Sequence, residues 1–168
     1  METTLSGNVD VDAEKFPMTS RLYSYWAGLP SAPTPTWSDV DLMENYRIAP
    51  LIFVADVVKS NSSYRFVYRF VGTQIVEAFG FDATGKSVDE AFEGKSAGLI
   101  NKAYTSIVET KSPQLGIRRQ ANIERGHVRM AVLTVPLFNP GGEVQMLMGI
   151  NDFSVMNSDE RDDFKSWF

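Results

Sequence analysis

The chain predicts an α+β fold: a five-stranded antiparallel sheet with helices on one face, preceded by N-terminal helices. Two strand-like runs, 51–58 and 64–71, flank a short polar turn. Three more, about 114–123, 127–138 and 144–152, close the chain around the turns Arg125-Gly126 and Asn139-Pro140-Gly141-Gly142. Between the two groups the apolar residues follow a helical period. The helices are therefore grouped rather than alternating with strands, which argues against a parallel sheet.

Taken in order, residues 1–15 are polar, acidic and without period, and read as a disordered start. Leu22, Trp26 and Leu29 step by four and three, so they share one helical face, and Gly28 and Pro30 close that helix. Residues 31–36, with two prolines, read as a stiff extended connector. Ser38 is expected to cap a second helix with Asp39 and Asp41 in its first turns and Leu42, Met43 and Tyr46 on its apolar face, stopped by Pro50. Residues 59–63 turn the first strand into the second, where Tyr64, Phe66, Tyr68 and Phe70 alternate with Arg65, Val67, Arg69 and Val71. A short helix over 73–79, a turn over 80–87, a short segment over 88–92 and a longer helix over 99–110 follow. Pro113 ends the last of these. Ser158 begins a possible last helix or tail within 156–168.

Residues 80–87, Gly-Phe-Asp-Ala-Thr-Gly-Lys-Ser, match the pattern of a phosphate-binding loop. Such a loop works where a buried strand opens through glycines into a helix, so that backbone N–H groups point at phosphate. Here Ile75, Val76 and Phe79 place a helix before Gly80, and glycine after a helix is a common C-cap. Asp82 would also repel phosphate. The favoured reading is a helix cap and turn, with Lys86 solvated; a nucleotide-binding enzyme using this loop is the alternative.

The 168 residues suit one domain over 16–155 with a sizeable core. A net charge of −5 argues against nucleic acid as a partner. The absence of cysteine removes disulfides, thiolate metal sites and a catalytic thiol; the single histidine, His127, cannot build a multi-histidine metal site. No apolar run is long enough to span a bilayer and no secretory signal opens the chain, so a cytoplasmic protein is expected.

The element order, the string Tyr68-Arg69-Phe70-Val71-Gly72-Thr73, the passage from Ala78-Phe79-Gly80-Phe81 into Thr84-Gly85-Lys86-Ser87, and the hairpin over 134–144 together resemble a PAS domain. Tyr25-Trp26 and residues 35–40 resemble a compact bacterial subfamily that stands alone without an attached kinase. The resemblance covers most of the chain. It implies a curved sheet under helices, ligand sensing or protein association, usually as a dimer, and no catalytic residue. It departs from haem-binding members, which carry a histidine on the long helix, and from light-sensing flavin members, which carry a cysteine. Neither haem nor covalent flavin is expected, and the cofactor is left open.

In such a fold the pocket lies between sheet and helices. Placing Leu137 inward puts Val135, Leu133, Ala131, Arg129 and His127 on the same face. Arg129 and His127 would suit a small anionic ligand, or else sit solvated at the strand end. Phe79 and Tyr104 are candidate lining residues; Arg69 and Arg118 are candidate anion contacts. The opposite face carries Val128, Met130 and Val132, expected to be covered by the helix around Leu22 and Trp26, by a second subunit in a homodimer, or by both. The expected function is a non-catalytic sensory module that binds a small anionic or apolar ligand or a signalling partner. A purely structural dimeric domain is the remaining alternative.

Overall fold

The computed structural model of the chain describes residues 16–122 and 126–155. The expected disordered start and the helix or tail over 156–168 lie outside the described residues. The sheet runs β2-β1-β5-β4-β3, with β1 Ile52–Ser60, β2 Ser63–Val71, β3 Gln114–Asn122, β4 Gly126–Phe138 and β5 Val144–Asp152. Every neighbouring pair is antiparallel. Helices α2 (Thr73–Phe79), α3 (Val88–Ala91) and α4 (Gly94–Thr110) join β2 to β3, and α1 (Pro17–Ala27) precedes the sheet.

The alternation of β1, β4 and β5 divides the core in two. Phe53, Ala55, Phe66, Tyr68, Met130 and Val132 pack with Ile75, Phe79, Val88, Ile100, Tyr104 and Ile107 of α2–α4. Val54, Leu133, Val135, Leu137, Met148 and Ile150 pack with Leu22 and Trp26 of α1 and with Leu29 and Ile48. Each large side chain buried this way contributes about 1.5–3 kcal/mol. Trp26 adds a directional tie, its indole N–H donating to the Pro136 carbonyl at 2.8 Å.

This division corrects the facing assigned to β4. Leu137, Val135 and Leu133 lie under α1, and Met130 and Val132 lie under α2–α4. Leu137 faces α1 and not the α2–α4 side expected for it, and because the side-chain period is two, one reversed anchor turns the whole strand over. Leu22, Trp26, Met130 and Val132, expected at a dimer interface, are each at most 8% exposed and are covered within one chain. They leave no surface for a second subunit to bury. The Val128 side chain lies outside the description.

Local chemistry explains the boundaries. The β1–β2 turn is shorter than expected, since Ser60 pairs with Ser63 and Asn61 takes the left-handed φ of 53°. Asparagine tolerates that region better than most residues. Arg69 is the extra residue of a bulge: Ala55 pairs with Tyr68 and Val54 with Phe70. The bulge breaks the alternation, sending Phe70 toward α1 while Tyr68 stays toward α4. Gly72 precedes α2 at a close approach, where a Cβ would lie 2.2 Å from the Pro50 carbonyl oxygen. Gly80 ends α2 with φ 82°. α4 begins at Gly94, before the expected 99, because its first turns carry little apolar signal apart from the buried Ala97.

The second helix expected from Ser38 does not form. Thr36 opens a single 3₁₀ turn over Trp37–Asp39, the Asp39 carboxylate accepting from the Thr36 N–H at 2.8 Å. The Asp41 carboxylate then takes the Met43 N–H at 2.8 Å, the local turn by which aspartate competes with helix. Residues 42–48 are turns, and Met43 and Tyr46 are 81% and 64% exposed rather than forming an apolar face. The connector is turned over 31–34, where the Ala32 N–H donates to Leu29 and the Thr34 N–H to Ser31, and is extended only at its end, at Thr36.

Candidate functional site

Two adjoining cavities lie between the sheet and the helices. The outer one, about 40 Å³, is walled by Ala103, Tyr104 and Ile107 of α4, by 114–118 of β3, and by Val132 and Thr134 of β4. The inner one, about 10 Å³, is walled largely by aromatic rings, among them Phe53, Phe79, Phe81 and Phe92. Tyr104 and Arg118 belong to both walls.

Each polar group arrives through the period of its element. Ile100, Tyr104, Ile107 and Val108 form the buried stripe of α4, so the Tyr104 ring enters the core. There it stacks on Phe53 at 6.0 Å and meets Phe66 edge-on at 5.3 Å. Tyr68 enters from β2 just before the bulge. The two hydroxyls lie 3.2 Å apart in a buried pair. Arg118 stands opposite Met130 and Asn151 opposite Val132, which puts both on the α4 side of the sheet. Gln114 donates its amide N–H to Ser106 Oγ at 2.7 Å. Its Oε1 and the Oδ1 of Asn151 are buried without a hydrogen-bond partner. Asn151 is 1% exposed and lines the inner cavity. A buried polar group left unpaired costs about 1–3 kcal/mol, so these two oxygens demand an explanation.

The electrostatics follow from burial. Burial holds the Tyr68 hydroxyl well above its ordinary pKa, with Tyr104 pushing the same way and Arg118 pulling back. Burial also raises Tyr104, while Arg118 and the hydrogen bond to Tyr68 lower it. Both phenols are neutral at physiological pH. Arg118 is the sole formal charge among the described residues that wall the cavities. The site thus offers one cation, a hydroxyl pair and two vacant acceptors inside an apolar shell, a set suited to binding.

Of the sequence candidates, Phe79, Tyr104 and Arg118 come together here. Arg69 does not: at the bulge it pairs with Asp56 at 2.9 Å, about half exposed. Arg129, half-buried, sits one step from Met130 and so belongs to the α1 face, away from the cavity. The His127 side chain lies outside the description. Tyr68, Gln114 and Asn151 were missed. Tyr68 carried a signal, a hydroxyl in an otherwise core-facing aromatic series. Asn151 reads as the polar end of an apolar strand. The 80–87 segment is a cap and turn: Ser87 starts α3 in a capping box with Glu90, and Lys86 is exposed. Among the described residues no group of three or more His, Cys, Asp or Glu could hold a metal ion, and no helix is long and apolar enough to cross a membrane.

The other face of β5 carries a second feature. Asp152, next to Asn151, is 1% exposed and faces α1. Its carboxylate accepts the Met18 N–H in the first turn of α1 at 3.2 Å and the Ser154 N–H at 2.9 Å. Adjacent residues of one strand therefore face the cavity and hold the N-terminal helix.

The PAS domain family profile matches residues 14–151. The chain belongs to the PAS domain family. PAS domains are typically sensory or signalling modules, and usually non-catalytic. The solved PAS domain of Bordetella pertussis BvgS is 18% identical, with 77% of this chain and 100% of that one covered and a TM-score of 0.52. A Light-Oxygen-Voltage domain studied with a flavin analogue is 12% identical, with coverages of 76% and 93% and a TM-score of 0.51. These likenesses show the PAS fold alone. Among curated proteins nothing matches.

Proposed function

We propose that this PAS domain is a non-catalytic sensor whose ligand enters between α4 and β3 and contacts Tyr104, Arg118 and Asn151. The observation that carries the reading is the buried, partnerless Asn151 Oδ1 beside a cation and a tyrosine pair in an otherwise apolar core. A fold maintains such a group at a cost unless something satisfies it. Ring cofactors such as flavin or haem occupy pockets of about 300–1,000 Å³. The two cavities enclose about 40 and 10 Å³, so a flavin or haem does not fit them as they stand.

The output runs through β5. A ligand that draws on Asn151 shifts the strand that also carries Asp152, and Asp152 holds the first turn of α1. The two states differ in how firmly α1 is clasped, which gives ligand and helix a common element to bias. A native mass spectrum of gently purified protein tests the binding half. A stoichiometric small adduct that Arg118→Gln removes is expected. An adduct retained in full by Arg118→Gln would place the ligand elsewhere.

A further inference from the structure

We infer that the ligand is a short 2-hydroxycarboxylate, of glycolate or lactate size, an inference that rests on the cavity being the sensory pocket. Three properties of the walls converge on that class. The first is charge: Arg118 lines both cavities beside Tyr104, whose hydroxyl it hydrogen-bonds, and among the described residues no carboxylate lines either, so its positive charge has a neutral neighbour and no counter-charge there. A half-buried guanidinium of this kind is best matched by a carboxylate, which takes two parallel N–H donors.

The second is the polarity of the remaining groups. Of the two tyrosine hydroxyls 3.2 Å apart, one donates to the other and the second keeps a proton to give. Asn151 Oδ1 and Gln114 Oε1 are buried acceptors with nothing to accept from. A simple fatty acid satisfies Arg118 and leaves Asn151 Oδ1 vacant. A hydroxyl beside the carboxylate supplies the missing donor. The third is size. A cavity needs about 10–15 Å³ to hold one water. The outer cavity at about 40 Å³ and the inner one at about 10 Å³ leave room for a handful of atoms, and the ring walls of Phe53, Phe79 and Phe92 leave no slot for another aromatic ring. A trapped water would satisfy Asn151 equally well, but it would bring no counter-charge to Arg118.

Titration calorimetry of the full chain with L-lactate, glycolate, propionate and lactamide separates these ideas. The expected result is binding of lactate and glycolate, propionate weaker by about tenfold for the lost buried hydrogen bond, and no binding of lactamide. Asn151→Leu should abolish the preference for lactate over propionate, and Arg118→Gln should abolish binding. The ligand comparison on the unaltered protein stands even if a variant folds poorly. Equal affinity for lactate and propionate, or tighter binding of lactamide, overturns the hydroxycarboxylate. If none of the four binds, this inference fails, and a screen of uncharged and larger molecules then shows separately whether the pocket itself binds anything.

Discussion

Tyr68 and Tyr104 set the character of the interior, because each brings a hydroxyl where phenylalanine would pack as well. Their bond at 3.2 Å satisfies both only in part, with Arg118 close enough to influence the pair. Tyr104→Phe removes one partner and should lower stability by about 1 kcal/mol, measured by urea unfolding, since the surrounding rings already fill the volume. Tyr104→Phe leaving stability unchanged would mean the hydroxyl pair contributes nothing. The same burial gives a pH dependence. With the folded pKa raised above the unfolded value, the native state holds its proton where the unfolded chain has lost it. Stability from this source is complete below about pH 10 and is lost as pH rises beyond it. A Tyr68→Phe, Tyr104→Phe double variant should flatten that alkaline decline; an unaltered decline would assign it to other groups.

At the scale of elements, caps and clasps hold the short helices in place. α3 has four residues and cannot persist on its own propensity, so its capping box carries it: Ser87 Oγ accepts from the Glu90 N–H, and the Glu90 carboxylate accepts from the Ser87 N–H at 2.7 Å. Ser87→Ala should lose about 1 kcal/mol in thermal or urea unfolding. Lys86→Ala should change neither stability nor response to Mg-ATP, which separates a cap from a phosphate loop. A measurable loss of nucleotide binding would restore the loop. The Asp152 clasp on α1 makes a different prediction. Asp152→Ala should raise amide hydrogen exchange across Pro17–Ala27 while the protection of α4 persists, because the two helices pack on opposite faces of the sheet. Equal loosening of both helices would mean that α1 is not an independently released element.

At the scale of the whole molecule, the sheet was legible because its signals were local. Asn139-Pro140-Gly141-Gly142 marks one hairpin turn, the aromatic alternation of 64–71 marks a strand, and Gly80 marks the end of a helix. What stayed hidden was relational. The direction β4 faces depends on a single anchor, and Trp26 bonding to Pro136 shows that α1 owns the Leu133–Leu137 side. Asp41 undid the second helix through a side-chain turn that an apolar pattern does not register. Phe79 and Tyr104 follow from the fold's general layout as cavity-lining candidates and Arg118 only as a charge whose facing the sequence leaves open, but Asn151 gains its meaning only when β5 is seated between β1 and β4. On this reading the cavity binds a small molecule and β5 carries the change to α1. The most direct test of this reading is amide chemical-shift mapping of the protein titrated with small acids and neutral analogues. Saturable shifts are expected at Tyr104, Gly116, Arg118 and Asn151, continuing through Asp152 to Met18. Saturable shifts confined to another surface, or cavity shifts that stop at Asn151 and never reach α1, would contradict it.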